Sequence, residues 1–128
     1  MASLVIDSWA WIEYLSGSEK GRKAANAMAE ASELWTSSAS VAEIVSKYRR
    51  ASSDEAPAVR AVTTLSKIGV PTLDDAIEAG RIHAELEPRS RNFGFADSFV
   101  LQLARRKGAK VLTGDSDFRG MEEAQLLE

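Results

Sequence analysis

The sequence predicts a three-layer α/β/α domain built on a parallel sheet of four or five short strands. Short apolar runs alternate along the chain with longer segments of good helix formers, which is the pattern of βαβ units. The 128 residues are about the length of one domain, and 45% hydrophobic with 27% charged residues is an ordinary globular composition. No repeat or linker divides the chain, so we expect a single domain over residues 1–128.

The first half of the chain is predicted to contain two strands and four helices. The run Leu4-Val5-Ile6 is apolar and β-branched, and the segment 19–31 is rich in Ala, Lys, Glu and Met. The predicted strands cover 4–6 and 34–36, and the predicted helices cover 9–15, 19–31, 41–50 and, after a cap at 52–54, the segment to about residue 67. Pro57 is compatible with the fourth helix because it falls in the first turn.

The second half is predicted to add three strands and two helices. A strand at 69–73 should lie at a sheet edge because Pro71 cannot donate a ladder hydrogen bond. A helix capped by Asp74 or Asp75 should run to about residue 86, and Gly108 should end another at 96–107. Strands are predicted at 109–113 and 124–127.

Composition excludes several kinds of chemistry. Without cysteine there is no thiol catalysis, disulfide or cysteine-bound zinc, and His83 is the only histidine. A site with several histidines is therefore excluded, and a Ser-His-Asp site would need His83. No apolar run approaches the length of a membrane span, and Asp7 and Glu13 stand where a signal peptide would be basic and then apolar. We therefore expect a cytoplasmic protein whose chemistry depends on carboxylates and hydroxyls.

Five acids are predicted to meet at the carboxyl edge of the sheet. Asp7 follows the first strand, Asp115 and Asp117 follow the strand at 109–113, and Glu43 and Asp97 stand in the first turns of helices that leave the same edge. Two carboxylates about 4 Å apart repel by roughly 4 kcal/mol at an effective dielectric constant near 20. Such a group requires neutralisation.

Each acid also has an ordinary structural interpretation. Asp7 could cap the first helix, Glu43 could complete a capping box with Ser40, Asp97 could stabilise a helix start, and Asp117 could cap a turn. Taken as a set, the acids instead favour all-oxygen ligation of Mg²⁺ or Mn²⁺. Such an ion can activate water for cleavage of a phosphodiester.

Four segments resemble the ordered acidic motifs of the PIN domain, especially of VapC-type toxins from toxin–antitoxin pairs. They are Val5-Ile6-Asp7-Ser8, Ala42-Glu43, Gly94-Phe95-Ala96-Asp97-Ser98 and Leu112-Thr113-Gly114-Asp115-Ser116-Asp117-Phe118. The resemblance implies a PIN-like fold and a Mg²⁺- or Mn²⁺-dependent endoribonuclease that is the toxin of a VapBC-type pair. It also implies that Asp7, Glu43, Asp97 and Asp115 form the metal site.

The resemblance implies further roles and partners. Asp117 would be a second acid of its loop, ligating directly or through water, and either Asp115 or Asp117 could act as a general base. Thr113 would position a water or a carboxylate. The expected products carry a 5′-phosphate and a 3′-hydroxyl, and the expected partners are a second copy of the chain, in a homodimer, and a VapB-like antitoxin. Many relatives have a small polar residue at the place of Trp9, so we expect a reshaped pocket edge.

RNA contacts are predicted at Arg89 and Arg91, in the loop that leads to Asp97. The cations at 49–50 and 105–107 end helices, where positive charge suits the helix dipole, so most of them are expected to be structural. Trp9 and Trp11 cannot both point inward from one short helix, so one of them is expected to line a partner groove or stack on a base.

Two other functions fit part of the pattern. A PIN-like binding module would use the acids as caps or as a scaffold and would not cleave RNA. A receiver-type phosphoacceptor domain also clusters acids at strand ends, but it needs an acidic neighbour beside Asp7 and a lysine after Thr113, and neither is present.

Overall fold

The computed structural model describes residues 2–89 and 92–128, so the predicted RNA contact Arg91 lies outside the described residues. The strands are β1 (Ser3–Ile6), β2 (Glu33–Ser37), β3 (Lys67–Gly69), β4 (Lys110–Thr113) and β5 (Ala124–Leu126). The helices are α1 (Ser8–Ser16), α2 (Glu19–Glu30), α3 (Ser38–Arg50), α4 (Ala56–Leu65), α5 (Leu73–Leu86) and α6 (Phe95–Lys107), with a 3₁₀ turn at Ser116–Phe118.

The five strands form one parallel sheet in the order β3-β2-β1-β4-β5. The central strand β1 therefore lies between β2 and β4, although β4 comes more than a hundred residues later in the sequence. Ile6 stands opposite Leu112 in the register of β1 and β4. The next residues, Asp7 and Thr113, consequently leave the sheet side by side at its carboxyl edge.

Helices cover both faces of the sheet, which confirms the predicted three-layer architecture. Leu4 and Ile6 belong to one core, with side chains of α1 to α4, whereas Val5 between them belongs to a second core with α5 and α6. This alternation follows from the twofold periodicity of a strand. In the part of the chain that the structure describes, no helix has the length and apolar character needed to cross a membrane.

The ends of α3 and its neighbours correct one part of the sequence interpretation. The helix begins at Ser38, earlier than predicted, because the Ser37 hydroxyl at the end of β2 accepts a hydrogen bond from the Ala39 amide at 3.2 Å. The predicted capping box of Ser40 and Glu43 is therefore wrong. Glu43 lies in the second turn, and the buried Ser40 hydroxyl has no hydrogen-bond partner among the described residues.

Three other helix and strand ends also differ from the prediction. Strand β3 ends at Gly69, before Pro71, because only Lys67 to Gly69 pair with β2. Helix α4 ends at Leu65, before the predicted residue 67. At its start, Oδ1 of Asp54 accepts a hydrogen bond from the Ala56 amide at 3.0 Å, in agreement with the predicted cap, and Pro57 falls in the first turn. Thr72, not an aspartate, caps α5, and Asp75 is its reciprocal capping-box partner.

Candidate metal centre

A hydrogen-bonded pair, Asp7 and Thr113, forms the floor of the site. Asp7 is only 4% exposed and caps α1, since its Oδ1 accepts a hydrogen bond from the Ala10 amide at 2.9 Å. The Thr113 hydroxyl donates to Oδ2 of Asp7 and accepts from the Asp115 amide at 2.9 Å. Thr113 thereby fixes the first acid relative to the loop that carries the last two.

Three other carboxylates meet above this floor. One oxygen each from Asp97, Asp115 and Asp117 lies within 4.8 Å of the others, an arrangement that could hold a metal ion. Oδ2 of Asp97 accepts from the Gly94 amide at 3.0 Å, and Oδ1 of Asp115 accepts from the Asp117 amide at 2.9 Å. The second oxygens of Asp97 and Asp115 accept no hydrogen bond from any residue within 2–89 or 92–128, so each can serve as a ligand.

Glu43 reaches the same region from α3. Its Oε1 accepts a hydrogen bond from the Ser8 hydroxyl at 2.9 Å, which ties the second turn of α3 to the start of α1. Glu43 and Asp7 stand outside the 4.8 Å group but line the same cleft, whose volume is about 410 Å³. The remaining lining residues are Ser8, Trp9, Ile12, Glu13, Lys47, Arg50, Asn92, Asp97, Asp115 and Asp117.

Burial and mutual repulsion perturb two of the acids. The pKa of Asp7 is raised from 3.8 to about 7, chiefly by burial and to a smaller extent by the charges of Asp97 and Asp115, while the hydrogen bonds from Thr113 and Ala10 lower it. Burial likewise raises the pKa of Asp97 to about 6, with added repulsion from Asp115, Glu43 and Asp117. Burial, and to a lesser extent the neighbouring charges, therefore disfavour ionisation of Asp7 and Asp97.

The donor set determines which ligands the cleft can accept. All side chains of the acid group offer oxygen atoms, and the chain has no cysteine. Hard divalent cations such as Mg²⁺ and Mn²⁺ prefer these ligands, and a cation would offset both the burial and the repulsion that raise the Asp97 pKa. The arrangement is thus suited to a hard divalent cation.

Comparison with known families assigns the fold. The family model described as the PIN domain matches residues 4–124. The chain belongs to the PIN domain family. The predicted resemblance to PIN domains is therefore confirmed over nearly the whole sequence.

Solved structures with the same PIN architecture come from toxin–antitoxin systems. A toxin–antitoxin complex from Klebsiella pneumoniae is similar at a TM-score of 0.78 and 16% identity, with 98% of both chains covered. Mycobacterium tuberculosis VapC20, a sarcin-ricin loop cleaving toxin, is similar at a TM-score of 0.76 and 19% identity, with 98% of this chain and 99% of the VapC20 chain covered. A DNA-bound VapBC from Salmonella typhimurium is similar at a TM-score of 0.71 and 19% identity, with 98% of this chain and 97% of the matched chain covered. The comparison with curated proteins finds no match.

The structure brings the predicted acids of this PIN domain to one cleft, three of them in a close group and two farther apart. Asp97, Asp115 and Asp117 form the close group, whereas Asp7 and Glu43 line the cleft around it. Arg89 is exposed and lines a neighbouring cavity of about 350 Å³ that also includes Asp117. Asp117 thus lines both the acidic cleft and the cavity that contains Arg89.

Six cleft residues of the PIN domain were missed by the sequence interpretation, among them two cations: Ser8, Ile12, Glu13, Lys47, Arg50 and Asn92. Arg50 was assigned to a helix end, where a cation suits the dipole. A usable signal was nevertheless present, because Lys47 and Arg50 follow Glu43 at helical spacings of four and seven residues. Residues at these spacings share one face of a helix.

The other basic cluster is structural, as predicted. Arg105 pairs with Glu123 at 2.8 Å and Arg106 with Asp75 at 2.7 Å, while the Lys107 ammonium lies 3.9 Å from the centre of the Trp35 ring. These cations are therefore engaged within the fold.

The only histidine and two of the tryptophans also have defined environments. His83 stacks on Phe95 with ring centroids 4.1 Å apart and does not line the acidic cleft. Trp11 is fully buried and donates its indole N–H to Thr36, whereas Trp9 lines the cleft. The two tryptophans therefore do not both point inward, as expected, whereas contact of Trp9 with a partner or a base stays a prediction.

Proposed function

We propose that this PIN domain is a Mg²⁺- or Mn²⁺-dependent endoribonuclease and the toxin of a VapBC-type toxin–antitoxin pair. The observation that carries the proposal is the meeting of Asp97, Asp115 and Asp117 within 4.8 Å at the carboxyl edge of the sheet. Membership in the PIN family and the similarity in fold to a toxin that cleaves the sarcin-ricin loop support it.

Asp97, Asp115 and Asp117 would hold the cation, with Asp7 and Glu43 contributing directly or through water. Backbone amides already fix one oxygen of Asp97 and one of Asp115, so the geometry of these ligands is set before any ion binds. When bound, the cation supplies positive charge to the scissile phosphate and activates water. Asp117 would ligate directly or through water.

The residues of the chain then have distinct tasks in hydrolysis. Water attacks the phosphorus, the bond from phosphorus to O3′ breaks, and the leaving oxygen takes a proton, which gives a 3′-hydroxyl and a 5′-phosphate. Asp115 or Asp117 would accept the proton of the attacking water as general base. Thr113 would act as a positioning residue, because its hydroxyl contacts Asp7 and the Asp115 amide.

The proposed partners are RNA, a VapB-like antitoxin and a second copy of the chain. Arg89 supports RNA binding, since it is exposed in the cavity that borders Asp117. Arg91 is proposed from the sequence alone. Exposed Leu73 and Ile77, one turn apart on α5, offer apolar surface for the proposed homodimer. The cytoplasmic location stays a prediction.

The alternative function is a binding module without nuclease turnover. One observation favours it: Asp7, Asp97 and Asp115 each accept a hydrogen bond from a backbone amide, so each has a structural use. The nuclease proposal is supported instead by the close approach of Asp97, Asp115 and Asp117, whose charges, after burial, help to raise the pKa of Asp97 to about 6. Caps alone do not require such convergence.

The test is RNA cleavage with Mn²⁺, Mg²⁺ or a chelator, comparing the wild type with Asp97→Asn. The amide oxygen of Asn can still accept the Gly94 hydrogen bond, so the helix start is preserved. The variant is expected to lose activity by about a hundredfold or more, as for loss of a charge that acts on the transition state. Asp74→Asn is the matched control, since Asp74 is exposed in the first turn of α5.

Three results would contradict the proposal at different points. Equal rates for Asp97→Asn and the wild type would remove Asp97 from the site. Activity that survives the chelator would exclude the metal mechanism. A wild-type protein that leaves RNA intact at micromolar concentration with Mn²⁺ would favour the binding module.

A further inference from the structure

One face of α3 carries positive charge into the acidic cleft. Glu43, Lys47 and Arg50 are spaced by four and three residues, and all three line the cleft. Arg49, between the two cations, faces elsewhere, because it pairs with Glu55 at 3.8 Å and lines a separate cavity with residues 52–54. The helix thus separates a cleft-facing arginine from an adjacent arginine on another face.

The two cations keep their charge available for a ligand. Neither Lys47 nor Arg50 lies within 4.0 Å of a carboxylate among residues 2–89 and 92–128, although six acids line the same cleft. Among the described residues, the one acceptor of the Arg50 Nε–H is the exposed Ser46 hydroxyl, at 3.3 Å. Cations that stay unpaired beside an acid group are suited to binding an anion from outside the chain.

Helix α1 contributes an apolar and aromatic part of the cleft lining. Trp9 and Ile12 lie one turn apart on α1, and both line the cleft. The Trp9 ring packs so closely on the backbone that a Cβ at Gly114 would lie 2.3 Å from two of its carbon atoms. A groove with a rigid aromatic wall and a cationic wall has the features that bind single-stranded nucleic acid, whose bases stack while its phosphates pair.

We propose that Lys47 and Arg50 bind phosphates of single-stranded RNA on one side of the scissile phosphate. This subsite rests on the proposed nuclease function. At 1.5 Å per residue, Lys47 and Arg50 lie about 6 and 10 Å beyond Glu43 along the helix axis. They therefore contact neighbouring phosphates and not the reacting one, which makes them positioning residues.

The binding test uses a fluorescently labelled single-stranded RNA oligonucleotide and the full chain. Measurements are made with Mg²⁺ in the Asp97→Asn background, so that the RNA stays intact. Two double variants are compared. The cleft pair combines Lys47→Ala with Arg50→Ala, and the control pair combines Arg49→Ala with Lys110→Ala, which removes the same charge outside the cleft. Lys110 is exposed at the amino end of β4, away from the acid group.

The cleft pair is expected to weaken binding about tenfold, the size of two solvent-exposed charge contacts, whereas the control pair changes it little. The slope of log affinity against log salt concentration should also fall by about 0.7 for each lost phosphate contact. Arg50→Lys should restore most of the affinity lost in Arg50→Ala. In otherwise wild-type chains, the cleft pair should raise KM for RNA cleavage and leave kcat nearly unchanged.

Equal losses in the two pairs, or a fall in kcat at unchanged KM, would overturn the subsite. The outcome is distinguishable from failure of the nuclease proposal. A wild-type chain that does not cut RNA, but binds it through the cleft pair, would remove the nuclease function and retain the subsite. A wild-type chain that cuts RNA, together with equal losses of RNA binding in the cleft pair and the control pair, would retain the nuclease function and remove the subsite.

Discussion

The raised pKa of Asp7 predicts that replacing it with asparagine stabilises the metal-free protein at neutral and alkaline pH. In the folded state the Asp7 pKa is about 7, compared with 3.8 for an unperturbed side chain, chiefly because the carboxyl is buried. The folded protein thus binds this proton more tightly than the unfolded chain does. The stability that it contributes is complete below the unfolded pKa and is lost as the pH rises through the folded one.

The size of the effect follows from the same two values. At about 1.4 kcal/mol per pH unit, the interval from 3.8 to about 7 corresponds to about 4 kcal/mol of unfolding free energy. Roughly 3 kcal/mol of this is lost between about pH 5 and the folded pKa. Asp7→Asn cannot ionise, and its amide oxygen can still accept the Ala10 hydrogen bond. Its advantage over the wild type should therefore grow by about 3 kcal/mol between about pH 5 and pH 8.

Urea unfolding in the presence of a chelator, at both pH values, measures this difference. Asp74→Asn is the matched control because it removes an exposed carboxylate far from the cleft. If the difference in unfolding free energy between Asp7→Asn and the wild type were the same at both pH values, the reasoning would be refuted. A variant that is less stable than the wild type at pH 8 would refute it as well.

Three further predictions concern the metal, Thr113 and Gly114. Mg²⁺ or Mn²⁺ at a hundredfold excess over its Kd should increase the unfolding free energy by about 2.7 kcal/mol and so raise the melting temperature. Asp115→Asn should abolish most of this rise. An equal rise in that variant would exclude Asp115 as a ligand. Thr113→Val should lower cleavage about 10- to 100-fold with Thr113→Ser near wild type, and equal rates for both would exclude a positioning hydroxyl. Gly114→Ala should destabilise the fold by about 1–3 kcal/mol in thermal unfolding, because its Cβ meets the Trp9 ring, and Trp9→Phe should recover most of this. A Gly114→Ala protein as stable as wild type would contradict that contact.

The meeting of the acids was predictable because sheet topology fixes it. Once strands 4–6 and 109–113 were assigned to one parallel sheet, Asp7 and Asp115 had to leave the same edge. The observed pairing of Ile6 with Leu112 produces that result. Asp97 followed because a helix packed on a parallel sheet starts at that edge.

The start of α3 was not predictable by the same reasoning. Ser37, Ser38 and Ser40 are all good capping residues, and the choice among them depends on where β2 stops pairing with β1 and β3. Once Ser37 caps the helix, Glu43 moves into the second turn and meets Ser8. A capping box with the right spacing was thus a coincidence of sequence.

Lys47 and Arg50 were missed because a helix-dipole argument concerns position along the axis and not direction around it. Arg49 and Arg50 are equally favourable for the dipole, yet only Arg50 lines the cleft. The direction is set by the packing of Ile44 against the core, which is a property of the folded chain.

The backbone hydrogen bonds of the acids have a consequence for how PIN sequences diverge. Asp7, Asp97 and Asp115 each hold a loop or helix start in place as well as offering a site for a cation. A PIN sequence whose cleft binds no cation would still need a hydrogen-bond acceptor at these positions, which either aspartate or asparagine provides. Asparagine at these positions is therefore the substitution to expect in PIN sequences whose cleft binds no cation, whereas retained aspartate indicates that the negative charge itself is needed.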